Sequence, residues 1–278
     1  MEHLRHQGVQ IIDQPYQKEE LEKVGRDAVL PEGIAYAHRQ TQDGDIYFLS
    51  NQQDKTITFQ PVFRAQQEQA VCYNPVNDEL MKYGNGTLTL PPYGSLFVIY
   101  GQVEGFHKGN SAFPLTKQSV SSVETHCKSY TLSFRESGLR LKKQRLFDWS
   151  KHEDDKIRYF SGHCRYSTTF KYKVREAGQV LLSLPDVKDI AHVWVNGQDC
   201  GIAWTEPYEV DITKALKKGK NKLEIEVVNT WHNALRGADQ GKAPYDGIWT
   251  NAKYRTKGDD LLPAGLLAEP VLKIRSKQ

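Results

Sequence analysis

Residues 189–231 constrain the fold more than any other part of the chain. The run Ala191-His-Val-Trp-Val ends in Asn196-Gly197. That dipeptide is the strongest short hairpin signal, because both central residues of a type I′ turn need positive φ. In Leu223–Val227 the apolar Leu223, Ile225 and Val227 alternate with Glu224 and Glu226, which is the period of a half-buried strand. Between these runs, Asp211-Ile-Thr-Lys-Ala-Leu216 predicts one helical turn, with Asp211 or Thr213 as its cap. A stretch built this way belongs in stacked antiparallel sheet.

The rest of the composition agrees. A chain of 278 residues is long enough for two domains and a sizeable core. Fourteen Tyr and five Trp favour sheet over helix. The net charge is only +3. The basic clusters at Lys142, Lys143 and Arg145, and at Lys217, Lys218, Lys220 and Lys222, have acidic neighbours and fall in or beside turns. They read as solvated faces, not as a nucleic-acid groove. No apolar run approaches the length of a membrane span, and no apolar segment follows Met1–His6 as a signal peptide requires. His3 and His6 have helical metal-ligand spacing, but a mobile terminus is much the better reading. Cys72, Cys127, Cys164 and Cys200 contain no C-x-x-C pair, which argues against zinc or redox chemistry. They read as buried free thiols, with a Cys127–Cys164 disulfide left open.

Along the chain, Val9–Ile12 predicts a strand and Tyr16–Asp27 a helix. One strand and one helix cannot bury a core of their own, so residues 1–30 read as the remnant of a preceding α/β domain. Strands are predicted at Asp45–Ser50, Thr56–Phe63, Thr87–Leu90 and Ser95–Tyr100, with turn residues between them, giving a small β-sandwich over 31–104. Gly101–Ser122 lacks periodicity and places a linker at 105–127. The remainder, 128–278, supplies strands at Thr131–Phe134, Tyr166–Val174, Val180–Leu184, Leu223–Val228 and Val271–Ile274. In the second of these, Tyr166, Thr168, Phe170, Tyr172 and Val174 share one face.

An ordered set of short motifs then resembles a known family. It comprises Tyr159-Phe-Ser-Gly162 with Tyr166-x-Thr-Thr-Phe170, Val195-Asn-Gly197 with Gly201, Trp204-x-x-Pro-Tyr208, Asp211-Ile-Thr213, Gly219-x-Asn221, Asn229-Thr-Trp231 and Pro263-Ala-Gly-Leu-Leu267. Together they resemble the C-terminal sugar-binding jelly roll of α-L-rhamnosidase-like glycoside hydrolases, which is related to the sugar-binding domain of the β-galactosidase family. Asp45–Asn51 and Leu90–Val98 are similar to the sandwich that precedes it. The resemblance implies an all-β chain of two β-sandwich domains, the second a galactose-binding-like jelly roll. It implies that the hydrolytic carboxylates lie on an upstream catalytic barrel of roughly 250 residues, which would be the partner of this segment. Oligosaccharide or polysaccharide would be the ligand, and a periplasmic or extracellular setting is the usual one for such enzymes.

The candidate sugar contacts fall in two clusters. Glu206 lies between Trp204 and Tyr208 in a predicted loop, and an acid flanked by rings suits a sugar, whose C–H faces stack on aromatics while its hydroxyls donate to carboxylate. The plainer reading makes Trp204 a core plug and Pro207-Tyr208 a turn. Asn229, Trp231 and Asn233, with His232 and Arg236, follow a core strand in what reads as a loop at the sandwich end. Asn229 could equally satisfy backbone groups and Trp231 belong to the core. No catalytic pair stands out, so the chain reads as non-catalytic, with a free-standing carbohydrate-binding module and a structural spacer as alternatives. No cofactor is implied. Asp148-Trp149 and Asp154-Asp155 do not specify the six or more oxygens that a calcium ion needs.

Overall fold

The computed structural model describes residues 25–65, 70–76, 79–84, 86–101, 112–113, 120–173, 178–252 and 260–276. The predicted strand at Val9–Ile12 lies outside them, as does most of the predicted helix at Tyr16–Asp27, whose last three residues are not helical. The chain divides into two compact units, Met1–Thr116 and Lys117–Gln278. Among the described residues both are built mainly of β-strands, as the residue pattern implied.

The first unit contains β1 (Ala28–Val29), β2 (Ile34–Gln40), β3 (Gly44–Asn51), β4 (Ile57–Phe59), β5 (Val62–Phe63), β6 (Ala70–Asn74), β7 (Glu79–Tyr83), β8 (Leu88–Leu90), β9 (Ser95–Gly101) and β10 (Ala112–Phe113). A six-stranded sheet in the order β10-β7-β6-β9-β3-β2 is joined by two short ladders, β1-β5 and β4-β8. Tyr47 and Leu49 of β3 pack with Leu96, Val98 and Tyr100 of β9 and with Phe59, Leu88 and Leu90 of the β4-β8 ladder. The predicted single strand at Thr56–Phe63 is two strands, because Pro61 has no N–H to donate into a ladder. The His38 imidazole stands between Asp27, at 3.1 Å, and Asp45, at 2.7 Å, and stacks on Tyr47.

The second unit contains β11 (Val120–Glu124), β12 (Tyr130–Phe134), β13 (Arg140–Gln144), α1 (Asp155–Arg158), β14 (His163–Tyr172), β15 (Gly178–Ser183), β16 (Val187–Lys188), β17 (Ile190–Val195), β18 (Gln198–Ala203), β19 (Glu209–Asp211), β20 (Gly219–Val228), α2 (His232–Asp239), β21 (Gly265–Leu266) and β22 (Val271–Ser276). Its sheets run β11-β22-β15-β19 and β13-β12-β14-β20-β17-β18, with β16-β21 as a short third ladder. The predicted linker at 105–127 needs correction. Ala112–Phe113 pairs with β7 of the first unit, and Val120–Glu124 pairs along its whole length with β22 of the second.

Side-chain alternation builds the core. Tyr166, Thr168, Phe170 and Tyr172 of β14 are buried, as are Leu223, Ile225 and Val227 of β20 and Ala191, Val193 and Val195 of β17. Facing them are Val180 and Leu182 of β15, Val210 of β19, and Leu272 and Ile274 of β22. On the outer face Glu226 is nearly buried, and it accepts from Arg135 at 2.7 Å and Arg165 at 3.2 Å. The Arg165 guanidinium also lies over the Trp194 ring.

The predicted hairpin forms. Val195 pairs with Gln198, and Asn196 (φ 55°) and Gly197 (φ 83°) make the two-residue turn between β17 and β18. The predicted helical turn is the 3-10 turn Thr213–Ala215, with Thr213 N and Oγ1 both bonded to Asp211. Asp148 and Asp154 are helix N-caps, accepting from Ser150 N and Lys156 N.

Trp149 plugs the core completely. Its Nε1 donates to the Tyr166 hydroxyl oxygen at 2.7 Å, and that oxygen also accepts from Leu266 N at 3.1 Å. A Cβ on Gly265 (φ 107°) would stand 2.6 Å from Trp149 Nε1 and 2.8 Å from the Tyr166 hydroxyl, so only glycine admits this contact.

All four cysteines are free thiols, including Cys127 and Cys164. Burial pushes Cys72 up to about 12 and Cys164 well above the usual thiol range. A thiol reacts as thiolate, so alkylation of the native protein at pH 8, read by peptide mass mapping, leaves Cys72 and Cys164 unmodified. Both react once urea unfolds the chain. Tyr166→Phe removes the acceptor for two buried N–H groups, each costing about 1–3 kcal/mol when left unpaired. It lowers the stability of the second unit by about 2–4 kcal/mol in denaturant titration.

Candidate functional site

Strand order brings the two sequence clusters to one place. β18 lies beside β17, β17 beside β20, and β20 beside β14. Ala203 at the end of β18 pairs with Ala191, while Ile190 at the start of β17 pairs with Val228 at the end of β20. Val228 also pairs with His163 at the start of β14. Trp204, Asp189, Asn229 and Gly162 are therefore the next residues beyond four adjacent strand ends, at a single rim. The ends of β18 and β20 are two strand spacings apart, about 10 Å.

Trp204 follows the inward-facing Ala203, so alternation turns it away from the core, and it is 55% exposed. The reading of Trp204 as a core plug is thereby corrected, since Trp149 fills that role. Glu206 is exposed, precedes a cis Pro207, and has no hydrogen bond or ion pair among the described residues. Tyr208 is half-buried against the core, and its carbonyl oxygen accepts from Leu184 N at 2.9 Å. Burial raises the Tyr208 phenol above its ordinary value. The charges of Glu206 and then Asp189 add to this, and Lys188 opposes it. The acid, the phenol and the segment before β17 are thus electrostatically coupled.

Trp231 is 56% exposed, so it is not a core residue. It occupies the position before α2, and its ring meets Tyr245 edge-on at 6.4 Å. The segment read as a loop is the two-turn helix α2. That helix is made by tertiary contacts: Ala234 N donates to Ser161 Oγ, and Gly237 packs so closely on Tyr159 that a Cβ would stand 2.7 Å from the Tyr159 Cβ. His232 Nε2 bonds to the Asp260 carbonyl at 3.0 Å. The Arg236 Nε lies 3.5 Å from His232 Nε2, and Arg236 Nη1 is buried without a hydrogen-bond partner among the described residues.

Asn229 and Asn233 are braces. Asn229 donates to the Phe160 carbonyl at 3.0 Å and accepts from Gly162 N at 2.9 Å. Asn233 is buried, donating to the Leu262 carbonyl at 2.8 Å and accepting from Leu262 N at 2.8 Å. Both ends of each amide are engaged by backbone of this chain, so the rings and the acid remain as the groups presented to solvent. Asp189, which sequence reading did not single out, adds another carboxylate, with Oδ2 accepting from Thr230 N at 3.0 Å. Only its position immediately before a predicted strand marked it.

The second unit, two antiparallel sheets around a shared core, has known relatives. Residues 143–273 match the glycosyl hydrolase 2 galactose-binding domain-like family. These residues are similar to the galactose-binding-like domains of glycoside hydrolases. The structure of a rhamnosidase from Novosphingobium sp. PP1Y superposes with a TM-score of 0.71 at 29% identity, covering 91% of this chain and 25% of that one. A putative beta-glucuronidase from Formosa agariphila is 38% identical over 120 residues, which is 42% of this chain and 10% of that protein. The chain therefore spans a quarter or less of the length of these relatives.

The bracing roles carry a prediction. Asn229→Ala and Asn233→Ala each leave buried backbone groups unpaired and lower stability by about 1–3 kcal/mol. Asn233→Ala is the more severe of the two, because its side chain is the more buried. Urea titrations of the two variants check this.

Proposed function

We propose that this chain is a non-catalytic, carbohydrate-associated segment of a rhamnosidase-like glycoside hydrolase, and that it contacts sugar at the rim formed by Trp204, Glu206, Tyr208 and Trp231. The observation that carries this reading is a pair of half-exposed indoles at one rim, Trp204 next after β18 and Trp231 three residues beyond the end of β20. Exposed indoles lose apolar hydration when a sugar ring covers them, and an unpaired carboxylate beside them accepts sugar hydroxyls. Two such platforms suit an oligosaccharide better than a single ring.

The coverage of the rhamnosidase supports the segment reading over a free-standing module, since nine-tenths of this chain matches only a quarter of that enzyme. In this reading the remaining part of the enzyme supplies the catalytic barrel, and this chain docks on it and frames the substrate cleft.

Titration calorimetry with rhamnosyl oligosaccharides tests sugar contact. Binding is expected in the micromolar to millimolar range, and Trp204→Ala and Trp231→Ala each weaken it about tenfold, or 1.4 kcal/mol. The absence of heat with every glycan tried, or binding unchanged in both variants, overturns the assignment. The same chain is expected to release no chromophore from an aryl rhamnoside. Turnover that is lost in Glu206→Ala overturns the non-catalytic reading.

A further inference from the structure

Arg236 is a cation with no acid to answer it among the described residues. It lies on α2, where Leu235 N donates to the Trp231 carbonyl at 3.0 Å. Arg236 therefore follows Trp231 by one turn and one residue, about 7.5 Å along the helix axis. Asn233, Ala234 and Gly237 take the buried face of α2, and Arg236 is half-buried beside them. A guanidinium carries five N–H donors and accepts nothing. Its Nη1 is buried with no partner among the described residues. Its Nε approaches His232 Nε2 at 3.5 Å, but that nitrogen lies closer, at 3.0 Å, to the Asp260 carbonyl oxygen. A carbonyl only accepts, so the shorter contact assigns the proton to His232 Nε2 and leaves it no lone pair to offer Arg236. Asp239, three residues further along α2, and Asp260 form no ion pair with Arg236.

We infer that Arg236 binds a carboxylate, and that the ligand of this rim is an acidic sugar whose uronate group meets Arg236 while a neighbouring ring covers Trp231. The inference rests on the sugar-contact reading above and adds to it a ligand class and the residue that selects it. A half-buried guanidinium has lost part of its water without gaining a partner, so an anion set against it gains more than at a fully solvated side chain. The planar fork offers parallel N–H donors to the two oxygens of a carboxylate, a match that an ammonium group does not reproduce. Cation and indole on one short helix suit a sugar chain that carries its acid on one ring and an apolar face on the next.

The test compares a rhamnosyl disaccharide whose second ring is glucuronate with its methyl ester, which keeps the rings and removes the charge. Calorimetry is run on the whole chain at about 0.1 M salt, where exposed charges more than about 10 Å apart are largely screened. The acid is expected to bind about tenfold tighter than the ester. Arg236→Gln removes the charge, and it is expected to bring the acid to within about threefold of the ester. Because no acid of this chain depends on Arg236, the melting temperature of Arg236→Gln without sugar is expected to equal or exceed that of the parent. Arg236→Lys keeps the charge without the fork, and it is expected to lose about threefold in affinity for the acid. Equal binding of acid and ester by the parent chain, or a preference for the acid that persists in both variants, overturns this inference while sugar contact stands. Binding of neither sugar overturns both.

Discussion

The register of β17, β18 and β20 decides what the second unit presents to solvent, and a pair of amides at the far end of the sheet fixes that register. Asn221 is fully buried. Its Oδ1 accepts from Asn196 Nδ2 and from Lys217 N, and its Nδ2 donates to the carbonyls of Lys217 and Gly219. Asn196 in turn accepts from Lys222 N and donates to the Ala215 carbonyl. The type I′ turn and the turn entering β20 are thereby locked together. Slipping either strand by one residue would leave these buried amides unpaired and send Leu223, Ile225 and Val227 to the solvent face.

The consequences appear at the opposite end of the same strands. With the register set, Ala203 must face inward, Trp204 must leave the sheet, and Val228 must end level with Ile190 and His163. The rim is then completed by the Asn229 and Asn233 braces, which join the 160–162 segment and Leu262 to the end of β20 and the start of α2.

Local signals were legible in the sequence. The Asn196-Gly197 hairpin and the alternating strand at Leu223–Val227 depend on residues within a few positions of one another, and each stands where it was read, as does the turn after Asp211, whose N-cap position is Ile212 and not Asp211 or Thr213. Features made by distant contacts were not. Helix α2 contains Gly237, Asn233 and His232, all poor helix formers, and it exists because Ser161 and Tyr159 meet it across more than seventy residues. Strand β11 gave no periodic signal, and only β22 makes it a strand. The candidate site was legible in part. Trp204, Glu206 and Trp231 were singled out by residue type, but that the strand ends leading to them lie on neighbouring strands follows from strand order. Asn229 and Asn233 drew notice as polar residues after a strand, and their carbonyl and N–H partners show that bracing is their structural work.

The account's central claim is that the two half-exposed indoles of this rim share one ligand. The most direct measurement is the indole N–H region of a nitrogen-15 NMR spectrum, with the five tryptophans assigned, during titration with a rhamnosyl oligosaccharide. The account predicts that the Trp204 and Trp231 signals move together with a common saturation point while the buried Trp149 signal stays fixed. Saturation that moves neither rim signal, or moves the two with unrelated affinities, contradicts it.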